Sequence, residues 1–415
     1  MTKEIPKDLQ FYKFCAYGFL KNLRFFEPFL ILFYLEKGLT FTEIGSLYAI
    51  RELTRNIFEI PSGVLADIFG RRRTMVFSFS SYIISYFIFY FSNSFYFFIP
   101  AVMVYGFGDA FRTGTHKAMI FEYLKIKKIE HMKAHYYGHT RSWSQKGSAL
   151  SSVLGAALVF YNRNYSVIFL VSAIPHFLDL IMMLTYPKEL DGGYKSIKNI
   201  TIKDSFNDAF KSLKTSFIKK DSILCVSNVS IFSGFHMAIK DYIQPVIRTL
   251  ALTFPLLYGF NAKQQTAVFI GILYFIIYNL NSIASGKAGK LSDIKGKSAL
   301  NITLGLGFIA GILSGIFYGF NLIILSVLFF IGVYVTENIR KPIGISYISE
   351  KFDDKILASV LSVASQAETI FAAITAFALG ILADIFGVKW GILCISGIYL
   401  LISPLVFIKA KKNPS

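Results

Sequence analysis

Carboxylic acids that can exchange a proton occur inside several long apolar runs of this sequence. Asp109, Glu27, Glu368 and Glu337 each interrupt a run dominated by Phe, Ile, Leu, Val and Gly. An ionisable group at membrane depth costs about 2.5–3.5 kcal/mol on insertion scales, so a group retained there is a functional candidate. A carboxylate that gains a proton from one side of a membrane and loses it to the other couples proton movement to a second process. These four acids are therefore the candidate proton-coupling residues.

Most of these acids have a cation one helical turn away. The pairs at i,i+3 or i,i+4 spacing are Arg24 with Glu27, Asp109 with Arg112, Glu337 with Arg340, and Arg55 with Glu52 and Glu59. Glu368 has no Lys or Arg three or four residues away, so it is expected to titrate most easily. For each pair, a static role in helix packing is the alternative to a coupling role. For Glu368 the alternative is a hydrogen bond to a neighbouring helix.

The embedded cations outnumber the embedded acids by thirteen to eight, which favours an anionic solute. Guanidinium groups suit carboxylate or phosphate, and His116 shares a helical face with Asp109 and Arg112. If Lys13, Arg141 and Lys341 reach toward the membrane interface instead, the cation excess shrinks. The candidate solute-binding residues are Arg24, Arg55, Arg112, His116, Asp241, Tyr274, Tyr278, Arg340 and Gln366.

The residue pattern gives little support for a metal site or an enzyme active site. The three cysteines stand alone, without CxxC spacing or histidines at ligand intervals, and His116, His176 and His236 fall in different runs. Metal transport is therefore a minor alternative. No nucleophile–base spacing appears either. We expect no resident metal, no cofactor and no enzymatic activity.

The elements that carry these residues must be membrane helices. Charged residues make up only 16% of the chain and apolar residues 54%, with a mean hydropathy of +0.52. The net charge of +18 resides largely between apolar runs, which excludes a nucleic-acid partner and indicates membrane orientation. Each run is long enough to cross a bilayer as a helix. The twelve predicted spans are 12–35, 43–66, 74–92, 95–121, 139–161, 165–186, 223–250, 265–286, 298–319, 321–346, 356–381 and 389–408.

The distribution of cations predicts the orientation of the spans. Loops on the side of the N-terminus hold 26 Lys and Arg, and the opposite loops hold four, so both termini are expected in the cytoplasm. Residues 188–222 form a polar linker between a bundle at 1–187 and a bundle at 223–415. Apolar residues at helical spacing over 202–213 suggest an interfacial helix in this linker, with a plain solvated helix as the alternative.

An internal repeat relates the two halves. An offset of 226 residues places the segment GVLADIFGR at 63–71 on GKLSDIKGK at 289–297, and an offset of 228 places Asp109 and Glu122 on Glu337 and Glu350. Parallel halves related by an axis along the membrane normal would give such matches, with solute bound between them. The segment GILADIFG at 380–387 differs from 63–70 at one position. It falls on the predicted outer face without a basic run, so we expect a chance similarity or a local turn there.

Segment 63–73 resembles the loop 2–3 signature of the major facilitator superfamily, and the resemblance extends over nearly the whole chain. Ile68 departs from the signature, which usually carries Arg there. The resemblance implies two six-helix bundles, and it favours spans one, four, seven and ten as cavity lining. It also implies a cytoplasmic gate in which Asp67 faces the N-terminus of span eleven. The residues of this predicted gate are Gly63, Asp67, Gly70, Arg71, Glu122, Gly289, Asp293, Gly296 and Glu350.

Together these features predict an all-α polytopic membrane protein. We expect a monomeric secondary transporter in the plasma (inner) membrane that moves a small polar solute with protons. A drug/proton antiporter is one alternative, although residues 147–156 lack the proline of the span-five signature of that group. A facilitator without proton coupling is another, and a membrane receptor that keeps the fold without transport is a third.

Overall fold

The computed structural model describes residues 7–191, 220–254, 257, 259–295, 298–352 and 354–408. The predicted interfacial helix at 202–213 lies outside these residues. Throughout the described ranges the regular structure is helical. This agrees with the requirement that backbone groups in a bilayer pair within their own segment.

The first half of the chain contains eight α-helices. They are α1 Leu9–Leu20, α2 Leu30–Glu36, α3 Phe41–Phe69, α4 Arg71–Phe91, α5 Phe95–Arg112, α6 Thr115–Ile126, α7 Lys133–Asn162 and α8 Val167–Leu184. Helix α4 packs against α5 and α8, and α1 packs against α7 and α8.

The second half contains seven more. They are α9 Lys220–Ile239, α10 Ile243–Thr253, α11 Ala262–Lys295, α12 Ser298–Gly319, α13 Ile323–Lys351, α14 Asp354–Phe386 and α15 Val388–Ile402. Helix α9 packs against α14, and α12 packs against α13 and α15.

The described chain accounts for the twelve predicted spans. Eight of its helical segments are long and apolar enough to cross a membrane by composition. The other four spans are those of α1–α2, α3, α5–α6 and α7. They fall short because they are interrupted or because they carry many charged or polar side chains.

Three spans are broken where polar or proline residues interrupt the apolar run. Helix α1 ends at Leu20, and a non-helical stretch leads to a 3₁₀ turn at Glu27–Phe29 before α2. A 3₁₀ turn at Lys240–Tyr242 separates α9 from α10 in the second half. Between α5 and α6 the backbone turns at Gly114, whose φ of 83° favours glycine. Broken backbone at membrane depth is tolerated where it lines a cavity or is covered by protein.

By contact density the chain forms two units. Unit 1 comprises Met1–Leu30, Thr54–Asn207 and Ile270–Tyr278, and unit 2 comprises Ile31–Leu53, Asp208–Phe269 and Asn279–Ser415. In the described residues the chain therefore passes from one unit to the other at the start of α2, within α3 and twice within α11. The domain boundaries at residues 187 and 222 stay a prediction.

The turn between α3 and α4 depends on Gly70 and on a distant carboxylate. Gly70 has a φ of 95°, a region that side chains with a Cβ rarely adopt. The backbone N–H of Arg72 donates to Asp191 Oδ1 at 2.6 Å, so Asp191 caps the start of α4. A Cβ on Gly70 would lie 3.0 Å from the carboxyl carbon of Asp191. This part of the sequence motif is thus a helix start held by the beginning of the linker.

The first turn of α3 carries two sets of caps, all within unit 2. Thr40 and Glu43 form a reciprocal capping box, with side chain to backbone distances of 3.2 and 2.9 Å. The carboxylate of Asp384, at the end of α14, accepts from the N–H groups of Phe41 and Thr42 at 2.8 and 2.7 Å. Segment 380–387 therefore makes a specific long-range contact, and it also contains the expected local turn, at Gly387 with a φ of 81°.

Candidate functional site

A polar pocket lies inside unit 1, next to the break after α1. Its empty volume is about 240 Å³, part of it open to solvent. It is lined by the side chains of Lys21, Asn22, Arg24, Tyr82, Tyr105, Arg112 and His176. These residues come from the non-helical stretch and from α4, α5 and α8, so four parts of one unit converge on a single polar space.

Arg24 is held at the pocket by two partners. Its guanidinium lies 3.1 Å from the carboxylate of Glu27 and donates to the hydroxyl of Tyr105 at 2.8 Å. The predicted i,i+3 pair with Glu27 is therefore present. It forms across the break and the following turn, which bring the two side chains together without a continuous helix.

Arg112 is held by a second acid and a second tyrosine. Its Nη2 lies 3.0 Å from Asp109 Oδ1, and its Nε donates to the hydroxyl of Tyr82 at 2.9 Å. The Tyr82 hydroxyl in turn donates to the same oxygen of Asp109. Arg55 also interacts electrostatically with Asp109. This closed network orients Arg112 toward the pocket. The role that it indicates for Asp109 is to hold the guanidinium of Arg112 in place.

Lys21 differs from the two arginines because it forms no ion pair within the described chain. Its ammonium lies 5.6 Å from the ring centroid of Tyr17, a weak cation–π contact. The pocket thus holds two arginines with an acid each and one lysine whose charge is not locally neutralised. A carboxylate or phosphate group is the chemistry that such a site binds.

The two histidines near this pocket are occupied by neighbours. His176 Nδ1 donates to the carbonyl of Ser172 at 3.0 Å. Its Nε2 therefore accepts from the hydroxyl of Tyr86, and these two atoms are 3.1 Å apart. His116 stacks on Tyr17 with 3.5 Å between ring centroids and does not line the pocket. The expectation that His116 shares a face with Arg112 is wrong, because the turn at Gly114 breaks the helix between them.

A cluster of two acids and one lysine lies in unit 2. Lys341 Nζ is 3.2 Å from Glu368 and 4.0 Å from Glu337, and Ser233 donates to Glu337 at 2.7 Å. Glu368 therefore has a cationic partner, which comes from α13 and could not be seen from spacing within α14. Lys341 points to these acids and not to the interface. The coupling roles of Glu337 and Glu368 stay predictions.

Arg340 is a buried structural residue. Its guanidinium donates to the carbonyls of Leu300 and Asn228 and to the hydroxyl of Thr303 at 3.0 Å. The expected ion pair with Glu337 is absent among these contacts, because carbonyl acceptors of α9 and α12 surround the guanidinium. Arg340 is therefore poorly placed to bind solute.

The remaining binding candidates do not converge on the pocket. Asp241 is buried beside the break between α9 and α10, where it accepts from the hydroxyl of Tyr48 at 2.8 Å. Tyr274 and Tyr278 of α11 lie with ring centroids 6.1 Å apart. Gln366 is half-buried in α14. Their roles in binding stay predictions.

The predicted gate is only partly described by the structure. Arg71 lies 3.5 Å from Glu122, another residue of the predicted gate. Asp67 is exposed and forms no hydrogen bond or ion pair within the described residues, and Gly63 and Gly289 have open space around them. Glu350 accepts from Ser346 at 3.0 Å. Gly296 and the side chain of Asp293 lie outside the described residues.

Several pocket residues escaped sequence reasoning. Lys21 and Asn22 interrupt an apolar run, and that interruption was the available signal. Tyr82, Tyr105 and His176 read as packing residues because aromatic side chains fill most spans. Asp179, one turn after His176 in α8, is not among the predicted site residues.

The fold and the pocket define a multi-pass membrane protein built around interrupted spans with buried charges. The chain belongs to the Major Facilitator Superfamily, whose profile matches residues 14–368. A relative is the "Uncharacterized MFS-type transporter YxaM" of Bacillus subtilis (strain 168), which is 24% identical and aligns over 96% of this chain and 94% of its own length.

Solved transporter structures share the fold. The nucleoside transporter NupG superposes with a TM-score of 0.71 at 12% identity, covering 96% of both chains. A POT family transporter in complex with 5-aminolevulinic acid gives a TM-score of 0.71 at 13% identity, covering 96% of this chain and 95% of that one. A D-xylose-proton symporter gives 0.65 at 16% identity, covering 95% of each chain. The twelve-span all-α architecture is thus that of a transporter superfamily.

Proposed function

We propose that this chain is a proton-coupled secondary transporter for a small polar anion. It works by alternating access, as a monomer in the plasma (inner) membrane, with both termini in the cytoplasm. It performs no chemical conversion. The observation that carries the proposal is the pocket of unit 1, where Lys21 has no ion-pair partner in the described chain while Arg24 and Arg112 are each oriented by an acid and a tyrosine.

The size and chemistry of this pocket favour a small solute. The empty volume of about 240 Å³ includes space open to solvent, so the enclosed part of the pocket has room only for a small solute. Guanidinium forks bind planar carboxylates and phosphates through two parallel hydrogen bonds, and the tyrosine hydroxyls can accept or donate to a polar group. A cationic drug would meet like charge at Lys21. The pocket therefore supports an anion over the drug/proton alternative.

Proton coupling is supported by the acids of both units and by the name of one fold neighbour. Glu337 and Glu368 share Lys341, so protonation of one acid changes the partner available to the other. In unit 1, Asp109 and Glu27 are each held by an arginine. That neighbour is described as a D-xylose-proton symporter.

The test uses the purified chain in liposomes with an entrapped pH dye. A panel of monocarboxylates, phosphate esters, nucleosides, sugars, dipeptides and cationic drugs is applied across an imposed pH gradient. We expect anionic members to enter together with protons, and sugars and cationic drugs to give no proton movement. Transport of cationic drugs alone, or of no member of the panel, would overturn the proposal.

Lys21→Met provides the site-directed test. A hydrogen bond to a charged group contributes about 1.5–3 kcal/mol, so apparent affinity for the transported anion should fall about 10- to 150-fold. Lys146→Met is the matched control, because Lys146 is exposed and lies over the ring of Trp143 away from the pocket. Equal effects of the two substitutions would contradict binding at Lys21.

A further inference from the structure

Asp179 in α8 is a deeply buried acid that none of the contacts above explains. Its side chain is fully buried, and neither carboxylate oxygen has a hydrogen-bond partner in the described chain. No Lys, Arg or His nitrogen of the described residues lies within 4.0 Å of it. By contrast, Asp109 and Glu27 each have a guanidinium within about 3 Å. An ionised carboxylate without a partner is very costly to bury, whereas a protonated one is not.

The groups that face Asp179 connect it with the pocket. Lys21 at the end of α1 and Arg112 at the end of α5 act on it electrostatically. The phenols of Tyr17 in α1 and of Tyr186 after α8 also face it. Arg112 is already engaged by Asp109, so the cation most able to respond to the charge of Asp179 is Lys21.

We propose that Asp179 is a proton-binding residue and that its protonation releases Lys21 to bind the solute anion. Ionised Asp179 attracts the ammonium of Lys21 and competes with an anion in the pocket. When a proton adds to the carboxylate, this competition ends and Lys21 neutralises the anion instead. One proton and one monovalent anion then move together, and the cycle carries no net charge. This inference rests on the proposed transport function, but its proton-binding step is testable without a solute.

The first experiment is an infrared titration of the full chain in liposomes without solute. The difference spectrum obtained by subtracting the Asp179→Asn spectrum from the wild-type spectrum should show the C=O stretching band of a protonated carboxylic acid. This band should vanish at high pH. Wild type minus Asp109→Asn should lack it. A wild type minus Asp179→Asn spectrum without such a band at any pH would overturn the proposal, whatever the result of the transport assay.

The second experiment separates coupling from binding, with a monovalent anion that the wild type transports. A gradient of one pH unit can drive about tenfold accumulation when one proton accompanies one monovalent anion. Asp179→Asn should reduce this accumulation far more than it reduces anion exchange, and Asp179→Glu should restore it. Accumulation by Asp179→Asn equal to wild type would refute the coupling role. If the wild type moves no anion at all, the proposed function fails while the infrared result still decides proton binding.

An independent observation concerns segment 380–387 and the start of α3. Asp67 and Asp384 occupy the same place in two nearly identical segments, yet among the described residues only Asp384 of these two binds a helix start. The backbones also approach closely there. A Cβ added to Gly380 would lie 2.4 Å from the Phe41 carbonyl, and one added to Gly45 would lie 2.3 Å from the Ala376 carbonyl.

We infer that Asp384 is a releasable latch between the first turn of α3 and the end of α14. The local capping box of Thr40 and Glu43 keeps the first turn of α3 formed when the hydrogen bonds of Phe41 and Thr42 to Asp384 break. Breaking these bonds therefore does not require α3 to unwind. Helix α3 leaves unit 2 at Leu53 and continues in unit 1, so the latch determines whether its first turn stays with α14. This second inference also rests on the proposed transport cycle.

Hydrogen–deuterium exchange tests the latch without a solute. Loss of a helix cap destabilises the helix end by about 1–2 kcal/mol, so the amides of Phe41 and Thr42 should exchange about 5- to 30-fold faster in Asp384→Asn. Gly380→Ala should accelerate the same amides while leaving the Asp384 carboxylate in place. Glu43→Ala, which removes the local acceptor of the Thr40 N–H, should act mainly on the amide of Thr40. Unchanged exchange of Phe41 and Thr42 in both Asp384→Asn and Gly380→Ala would refute the latch.

A disulfide tests whether release is needed for turnover. In a chain without Cys15, Cys225 and Cys394, cysteines at positions 42 and 384 should cross-link on oxidation. Transport should stop when the bond forms and recover on reduction. Full transport by the cross-linked protein would show that the contact never opens during the cycle.

Discussion

The network of Asp109, Arg112 and Tyr82 makes a quantitative prediction for Asp109→Asn. This change removes one charge of a short ion pair and leaves the guanidinium of Arg112 in place. Breaking a buried pair costs about 3–5 kcal/mol. The side chains of Asp109 and Arg112 are 16% and 23% exposed, so the pair is only partly buried. We therefore expect the unfolding free energy to fall by about 2–3 kcal/mol. The double variant with Arg112→Gln removes both charges and should lose less than the sum of the single variants.

The assay is reversible unfolding in mixed micelles of SDS and a mild detergent, followed by the fluorescence of Trp143 and Trp390. The coupling free energy from the two single variants and the double variant should be about 1.5 kcal/mol or more. Asp67→Asn is the matched control, since Asp67 is exposed without a contact in the described chain and should stay within about 0.5 kcal/mol of wild type. If the effects of Asp109→Asn and Arg112→Gln add to within about 0.5 kcal/mol, the pair contributes nothing to the site and the reasoning fails.

Three further substitutions probe other features. Glu368→Gln should abolish anion accumulation under a pH gradient if the acids that share Lys341 take part in coupling, and accumulation at the wild-type level would exclude Glu368. Arg340→Met should reduce the unfolding free energy by about 3 kcal/mol, since carbonyl and hydroxyl acceptors lose a charged donor, and an unchanged unfolding midpoint would contradict its structural role. Gly70→Ala should cost about 1–3 kcal/mol because of its φ of 95°, whereas Gly63→Ala should be nearly neutral in the same unfolding assay; equal stability of the two would argue against strain at the turn.

The features that sequence reasoning anticipated depend on local geometry. Apolar runs of bilayer length predicted the spans, because hydropathy acts on each segment separately. The pairs of Arg24 with Glu27 and of Asp109 with Arg112 followed from a spacing of one helical turn. Arg71 and Glu122 lie far apart in sequence, but both were expected at the same ends of neighbouring spans.

The features that sequence reasoning missed depend on contacts between distant segments. Lys341 reaches Glu368 from another helix, and Arg340 binds carbonyl groups, which no residue pattern encodes. The break after Leu20 was hidden because a hydropathy average over a span smooths out a short polar interruption. The contact of Asp384 with the start of α3 could not be predicted from segment 380–387, because it depends on a helix start more than 300 residues away in sequence.

The interrupted first span has a consequence for how this protein is made. Lys21, Arg24 and Glu27 each cost about 2.5–3.5 kcal/mol at membrane depth when no partner is present. The tyrosine that receives Arg24 lies in α5, and the acid that faces Lys21 lies in α8, more than 150 residues further along the chain. The first span is therefore expected to insert unfavourably into the bilayer as it leaves the ribosome. We expect it to insert stably only after α8 has been synthesised. Ribosome-bound chains truncated before α8 should keep this segment extractable or bound to the insertion machinery.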